Sequence, residues 1–220
     1  MSKHLERDLE RLQKRIVGFA TLVEEAAYKA VQALRDHDRP LAHEVIDGDE
    51  AIDRAENEIA EECLKLLALH QPVAGDLRRI ATILMITTDL ERMGDLARHV
   101  ARAARRRFPD PAVPAPLRAT VVEMGQVAEL LVAKAGAVIA SHDVEEALQV
   151  ERDDDEMDRL HRELFTDLLD VTSPYSIEAA IDVTLVSRYY ERFADHAVAV
   201  ARRVVFLVTG QQPQDVAEHV

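Results

Sequence analysis

The sequence predicts an all-α protein made of two tandem three-helix bundles, with six long antiparallel helices. Three observations lead to this fold class. The 220 residues include only seven glycines and eight prolines, while Ala, Leu, Glu and Arg, which favour helix, are abundant. Between the prolines, apolar residues recur every three to four positions, and no stretch alternates with the two-residue period of a strand. An acidic signature also occurs twice, 100 positions apart.

The prolines divide the chain into helices. Proline breaks a helix interior but is tolerated in the first turn, so each proline marks a boundary. Pro40, Pro72 and Pro174 each follow a short polar break, and four prolines cluster within 109–116. The predicted helices, in chain order, are about 2–37, 40–69, 73–107, 117–140, 144–171 and 175–208.

The repeated signature defines the domain organisation. DLERMGDLARHVAR (89–102) and YYERFADHAVAVAR (189–202) share Glu-Arg-x-x-Asp and end in Ala-x-x-x-Ala-Arg. DEAIDR in the second helix is likewise matched by DDEMDR in the fifth. The repeated unit is therefore a whole three-helix bundle. We predict a first repeat over 1–108, a proline-rich linker over 109–116, a second repeat over 117–210 and a C-terminal tail over 211–220.

Composition narrows the class of protein. The formal net charge of −14 disfavours direct binding to nucleic acid, because phosphate backbones repel an acidic protein. Cys63 is the only cysteine, so the chain has neither an internal disulfide nor a thiolate metal site. The start MSKHLERDLERL is too charged for a secretory signal, and no apolar run approaches the roughly 20 residues that span a bilayer. We expect a cytoplasmic protein that does not insert into a membrane.

Four acidic pairs with i, i+4 spacing lie on the helix faces expected to point into the bundles. In the third helix the apolar stripe through Ile80, Ile83 and Thr87 continues into the pair, and in the sixth the stripe through Ile177 and Ser187 does the same. Stripes that include Leu64 and Leu169 lead to the pairs of the second and fifth helices. The pairs are Asp49 with Asp53, Glu91 with Asp95, Asp154 with Asp158, and Glu191 with Asp195.

Buried carboxylates at this spacing need compensation, because like charges repel and an unpaired buried charge costs several kcal/mol. One hypothesis is an arginine network from Arg54, Arg92, Arg159 and Arg192, although Arg92 and Arg192 lie about 100° from the acidic face. The other is a hard metal cation, which takes several carboxylate oxygens. Gly94 and Ala194 would leave room for the ion. Four matched pairs favour the metal hypothesis, and His161 is a secondary candidate ligand.

These segments resemble a known family. LLALHQPVAGDLRRI (66–80) followed by DLERMGDLARHVA (89–101) resembles the first repeat of the PhoU family, and YYERFADHAVAVA (189–201) resembles its second. The resemblance implies the tandem-bundle fold of PhoU-like repeats and metal clusters at the eight acidic residues. It does not identify the metal, and iron, manganese, zinc and magnesium all remain open. The sequence departs from the family where Arg102 and Arg202 replace the acidic end of an Asn-Ile-Ala-Glu-like segment.

The resemblance also implies a function. PhoU proteins are cytosolic accessories of high-affinity phosphate uptake. They are negative regulators thought to connect the ATPase subunit of a phosphate ABC transporter to a phosphate sensor histidine kinase, and they are often homodimers. We therefore expect a regulator of phosphate homeostasis and not an enzyme. Self-association is also expected from the first helix, whose apolar residues Phe19, Leu22, Val23, Ala27 and Val31 occupy more than one face.

Three alternatives remain open at this stage. A carboxylate-bridged di-metal oxidase typically needs two Glu-x-x-His motifs in one bundle, whereas this chain has one acidic-x-x-His segment beside a pair. A metal phosphohydrolase is suggested by His37-Asp38 and His142-Asp143, although His-Asp is also common capping chemistry at helix ends. The third alternative is a purely structural helical scaffold.

Overall fold

The computed structural model describes residues 3–169 and 175–211, and within them it contains six long helices and no strand. The predicted all-α fold is confirmed. The helices are α1 (Lys3–Asp36), α2 (Arg39–His70), α3 (Ala74–Arg107), α4 (Arg118–Ser141), α5 (Val144–Leu169) and α6 (Ile177–Thr209). Residues 170–171, the predicted end of the fifth helix, and 212–220 of the predicted tail lie outside the described residues. A short 3-10 turn over Ala115–Leu117, which the sequence did not predict, precedes α4.

The two His-Asp dipeptides are helix caps. His37 and His142 adopt left-handed backbone conformations, with φ of 56° and 58°, which end α1 and α4. The carboxylate of Asp38 then accepts from the amide of Leu41 at 2.9 Å at the start of α2. In the same way Asp143 accepts from the amide of Glu146 at 3.0 Å in α5. Each dipeptide therefore ends one helix and starts the next, as the capping interpretation expected.

Each bundle packs three helices together, and the two bundles share two seams. α1 packs against α4, and α3 packs against α6. Arg107 near the end of α3 contacts Asp182 near the start of α6, whereas Asp89 contacts Arg203 much later in α6. α3 and α6 are therefore antiparallel along the second seam.

The apolar residues of α1 are used inside the chain. Phe19, Val23, Ala27 and Val31 are all buried, because α1 packs against α4 as well as against α2 and α3. The prediction that they form a surface for a neighbouring molecule is wrong. One of the two apolar faces of α1 covers the second bundle.

One segment meets the length and apolarity of a membrane span. It covers Ala115–Ser141 and is the only such segment within the described residues. This corrects the expectation that no run approaches that length. Packing accounts for part of its apolar surface, since α4 contacts α1, α5 and α6 and Leu131 and Ala135 are fully buried, whereas Leu130 is 47% exposed.

Three side chains expected on bundle-facing stripes are instead exposed. The exposed fractions are 59% for Leu64, 76% for Leu169 and 81% for Ile177. Leu169 is the last residue of α5. Ile177 is the first residue of α6 and lies on the same exposed face as Ile181 and Leu185. Leu64 adjoins buried Cys63 but lies 100° further round α2.

Candidate functional site

The first acidic cluster is held by an arginine. Arg98 on α3 donates from Nη1 to Asp49 on α2 and from Nη2 to Asp95 on its own helix. Asp49 is only 5% exposed. The guanidinium therefore joins the two helices and neutralises the most deeply buried carboxylate of the first bundle.

The other two carboxylates of this cluster lie further out. Asp53 is exposed, and Glu91 is half-buried. Arg92 approaches Glu91 and Asp95 at 3.5 Å each, but its side chain is 56% exposed. Contacts this long at an exposed site contribute little. The arginine network considered from the sequence thus exists in the first bundle, but Arg98 carries it and not Arg54 or Arg92.

The carboxylates of this cluster influence one another's pKa. Burial raises the pKa of Asp49, the charge of Arg98 opposes that rise, and Asp53 and Asp95 add to it. Burial also raises the pKa of Glu91, with Asp95 as the next cause. The raised pKa of Asp49 means that burial disfavours its charged form, whereas the ion pair with Arg98 favours that form. The ion pair stabilises the fold, because removing Arg98 would leave a buried carboxylate without a partner.

Gly94 does not leave room for an ion. A Cβ built at this position would lie 2.9 Å from both Cδ1 and Cγ2 of Ile52. Ile52 is 3% exposed and lies between Asp49 and Asp53 on α2. The glycine therefore permits close packing of α3 on α2, and this interpretation of the sequence was wrong.

Among the described residues, no arginine bridges carboxylates of the second acidic cluster across its two helices as Arg98 does in the first. Asp154 on α5 is half-buried, and burial raises its pKa to about 6, with Asp158 and Asp195 as the next largest causes and Glu191 as a smaller one. Four carboxylates from α5 and α6 therefore lie close enough to raise the proton affinity of one of them. Asp158 and Asp195 are exposed.

Glu191 has one satisfied and one unsatisfied oxygen. Arg188 donates to Oε1, whereas Oε2 is buried and has no hydrogen-bond partner among the described residues. A buried acceptor without a donor is costly and calls for an explanation such as an ion or a water molecule. The nearby cation Arg202 is already paired with Glu151. Negative charge in this cluster is thus less compensated than in the first.

The difference between the clusters follows from one position of the repeat. Offsetting Arg98 by the 100-residue repeat gives Val198, which is buried and carries no charge. Sequence reasoning missed Arg98 because it considered only arginines adjacent to an acidic pair. The signal was available, since Arg98 lies seven residues after Glu91 and therefore on the same face of α3.

The donor set of the second cluster fits a hard cation, because it consists of carboxylate oxygens from two helices and includes a buried oxygen without a donor. Among residues 3–169 and 175–211, no three Asp, Glu, His or Cys side chains stand close enough to hold a metal ion as they are placed. Binding would therefore require side chains to rotate toward a common point. His161 is directed elsewhere, with Nδ1 2.6 Å from Ser187 Oγ and its ring against Phe165.

The α3–α6 seam lies beside both clusters. Asp89, two residues before Glu91, accepts from Arg203 and lies 3.1 Å from His196 Nδ1 on α6. His99 stacks on Tyr189 with ring centroids 5.1 Å apart. The helices that carry the Glu-x-x-x-Asp pairs are thus also the helices that join the bundles.

Comparison with known proteins identifies the family of this chain. The family model described as the PhoU domain matches residues 16–104 and 121–204, one match in each bundle. The chain belongs to the PhoU family. A relative from Mycobacterium tuberculosis, named phosphate-specific transport system accessory protein PhoU homolog 2, is 47% identical over 93% of this chain and 96% of its own length. A PhoU homolog from Aquifex aeolicus is 36% identical over 93% of both chains.

Solved structures agree with this membership. PhoU from Pseudomonas aeruginosa superposes with a TM-score of 0.86 at 34% identity, covering 94% of this chain and 99% of that one. The phosphate transport system regulatory protein PhoU from Streptococcus pneumoniae superposes with a TM-score of 0.85 at 27% identity. The PhoU fold therefore accounts for nearly the whole chain.

Proposed function

We propose that this chain is a cytoplasmic negative regulator of phosphate uptake and phosphate-starvation signalling, and that it acts by binding and not by catalysis. The observation that carries the proposal is membership of the PhoU family over both bundles, with relatives named as accessory proteins of phosphate-specific transport. The His-Asp dipeptides act as caps and His161 contacts Ser187, so neither enzyme alternative gains support from these residues.

The proposed partners are the ATPase subunit of a phosphate ABC transporter and a phosphate sensor histidine kinase. The distribution of charge supports docking through α2 and α5. α2 carries nine acidic and three basic residues, and α5 carries ten acidic and three basic residues. A surface of this kind attracts a basic partner and speeds its association.

A charge-reversal experiment tests this docking. The exposed residues Asp47, Glu50, Glu145 and Asp167 are replaced together by lysine, and capture of each purified partner subunit is measured. We expect capture to fall strongly and to depend on salt concentration. The matched control reverses Glu6 and Glu10, which are exposed on α1. Equal capture of the partner by both variants and by the natural protein would rule out α2 and α5 as the docking surface.

The proposed ligand is a metal ion, and the second cluster is the preferred site. Asp154, Asp158, Glu191 and Asp195 would hold iron, manganese, zinc or magnesium, and the ion would neutralise their mutual repulsion. In the first cluster Asp49, Asp53, Glu91 and Asp95 would take an ion only if Arg98 left Asp49 and Asp95. The buried, unsatisfied oxygen of Glu191 supports this order of preference.

Thermal melts in chelator and then in each ion test the metal proposal. A ligand that binds only the folded state raises Tm by mass action. We expect a rise for the natural protein and none after Glu191→Gln with Asp195→Asn. The same double variant should be at least as stable as the natural protein in chelator, because it removes like-charge repulsion. A natural protein whose Tm is the same in chelator and in all four ions would exclude this role, without affecting the partner proposal.

Self-association into a homodimer is also part of the proposed function. The argument from α1 no longer holds, since the apolar residues of that helix are buried against the second bundle. A homodimer would therefore have to form through a surface other than the apolar residues of α1.

A further inference from the structure

The outer face of the first half of α6 carries an exposed apolar stripe. Ile177, Ile181 and Leu185 are exposed by 81%, 53% and 37%. Their spacing of four residues places them one above another along a little more than two helical turns. Aliphatic side chains in such a row favour contact with another apolar surface over contact with water.

Opposite charges lie at the two ends of this stripe. Glu178 lies at its start with the side chain 77% exposed, and Arg188 lies at its end with the side chain 53% exposed. The next turn adds exposed Arg192. All of these residues fall within about 100° of the helix circumference, and so on one face. The face is acidic at its beginning, apolar in the middle and basic at its end.

From this pattern we infer that the stripe is the contact between two copies of this chain, which pair their α6 helices in antiparallel orientation about a two-fold axis. In that arrangement Ile181 lies opposite Leu185 of the second copy, and Glu178 lies opposite Arg188 of the second copy. Both contacts occur twice, as a two-fold interface requires. The inference rests on the self-association included in the proposed function and gives it a location.

The existing partners of the two charged residues leave room for these contacts. Arg107 Nη1 lies 3.2 Å from Glu178 Oε2, and Arg188 Nη1 donates to Glu191 Oε1. These contacts use one carboxylate oxygen of Glu178 and one terminal nitrogen of Arg188. The second oxygen and the second terminal nitrogen remain to pair across the axis.

The first bundle contains a counterpart that lacks this complementarity. On α3 the equivalent positions are Leu77, Ala81 and Met85, so a methyl group replaces the central isoleucine side chain. Arg78 stands where α6 has Glu178, and Thr88 stands where α6 has Arg188. Antiparallel pairing of two α3 helices would bring no opposite charges together. The repeat therefore supplies a matched control within the same molecule.

Molar mass by light scattering over a concentration series tests the contact. We expect the natural protein to reach about twice 24.7 kDa at micromolar concentration. Ile181→Glu should return the monomer mass, because it buries a charge at the centre of the interface. Leu77→Glu, made at a residue 44% exposed on α3, should leave the dimer intact. Circular dichroism melts of both variants check that each remains folded.

A charge swap gives a second test that folding defects would not reproduce. Glu178→Arg or Arg188→Glu alone places like charges opposite each other twice per dimer and should weaken the dimer roughly tenfold. The double variant carries the same two charges in exchanged positions and should restore most of the affinity. Failure of the double variant to recover would contradict the antiparallel register.

The remaining outcomes also decide the inference. A dimer that Ile181→Glu does not weaken would show that another face is used. A monomeric natural protein would overturn the inference, and if a transporter or kinase subunit then protected the stripe, the stripe would belong to that partner. A monomer would also overturn the proposed self-association, whereas the metal proposal is measured independently by Tm.

Discussion

Arg98 on α3 donates to the buried carboxylate of Asp49 on α2, and no arginine takes this place in the second bundle because Val198 stands at the equivalent position. The two repeats therefore differ in how the charges of their clustered carboxylates are compensated. One bundle neutralises its carboxylates with a side chain of its own. The other leaves Asp154, which lies near three further carboxylates, with a raised pKa.

Replacing Arg98 by valine gives the first bundle the chemistry of the second. We expect the free energy of unfolding at pH 7.5 in chelator to fall by about 2 kcal/mol, because the buried carboxylate of Asp49 loses its partner. Chemical denaturation measures this change. Arg92→Val is the control, since that arginine is 56% exposed and makes only contacts of 3.5 Å. Equal losses for the two variants would contradict a special role for Arg98.

The same substitution should also change the response to metal. With the guanidinium gone, the four carboxylates of the first bundle resemble those of the second, so bound metal measured after dialysis should rise relative to the natural protein. Unchanged metal content would show that the arginine is not what separates the two clusters.

Asp154 should give stability an unusual dependence on pH. Its pKa is raised to about 6 in the folded protein from an ordinary value of 3.8, so the folded state binds a proton more readily than the unfolded state. The stability that this proton brings is present below about pH 4 and is lost as the pH rises through about 6. In chelator at pH 7.5 we expect Asp154→Asn to raise Tm by about 3 °C. The gain should disappear near pH 4, and a gain independent of pH would contradict this account.

Replacing Gly94 or Gly48 by alanine should change the stability of the first bundle in opposite directions. Gly94→Ala places a methyl group 2.9 Å from Ile52, so we expect a loss of about 1–3 kcal/mol. Gly48 is exposed on α2, and an added methyl group would meet no atom within 4 Å. Because alanine has a higher helix propensity than glycine, Gly48→Ala should stabilise the protein by about 0.5–1 kcal/mol. Denaturant midpoints of the two variants decide the matter, and a neutral Gly94→Ala would mean that Ile52 can move aside.

Cys63 should be unreactive in the folded protein. Its side chain is fully buried, and burial raises the pKa of its thiol to about 11, so the reactive thiolate is scarce at neutral pH. We expect a thiol reagent to label it slowly in buffer and quickly in denaturant. Rapid labelling under native conditions would show that α2 opens frequently from its bundle.

Sequence reasoning recovered the helices well because each has a clear apolar period and a proline or cap at its boundary. It also predicted two groups of four acidic residues on bundle-facing sides of their helices, whereas Asp53, Asp158 and Asp195 are exposed. The same reasoning cannot say which molecule covers a face. Val31 on α1 was assigned to a surface for another chain, although it packs against Gly125 of α4. Ile177 was assigned to the core, although it shares an exposed face of α6 with Ile181. The length of an arginine side chain was not considered either, so Arg98 on α3 was not recognised as a partner of Asp49 on α2.

The two seams have a consequence for how the molecule comes apart. A chain cut within the proline-rich segment 109–116 would give two pieces, each with a full bundle and a broad apolar face shaped for the other. Either piece alone would expose the face that α1 or α4 normally covers and would be prone to aggregate. Produced together in one cell, the pieces should reassemble without the covalent link, with Asp89 and Arg203 aligning them. The tandem protein is in this sense a heterodimer whose halves are tethered.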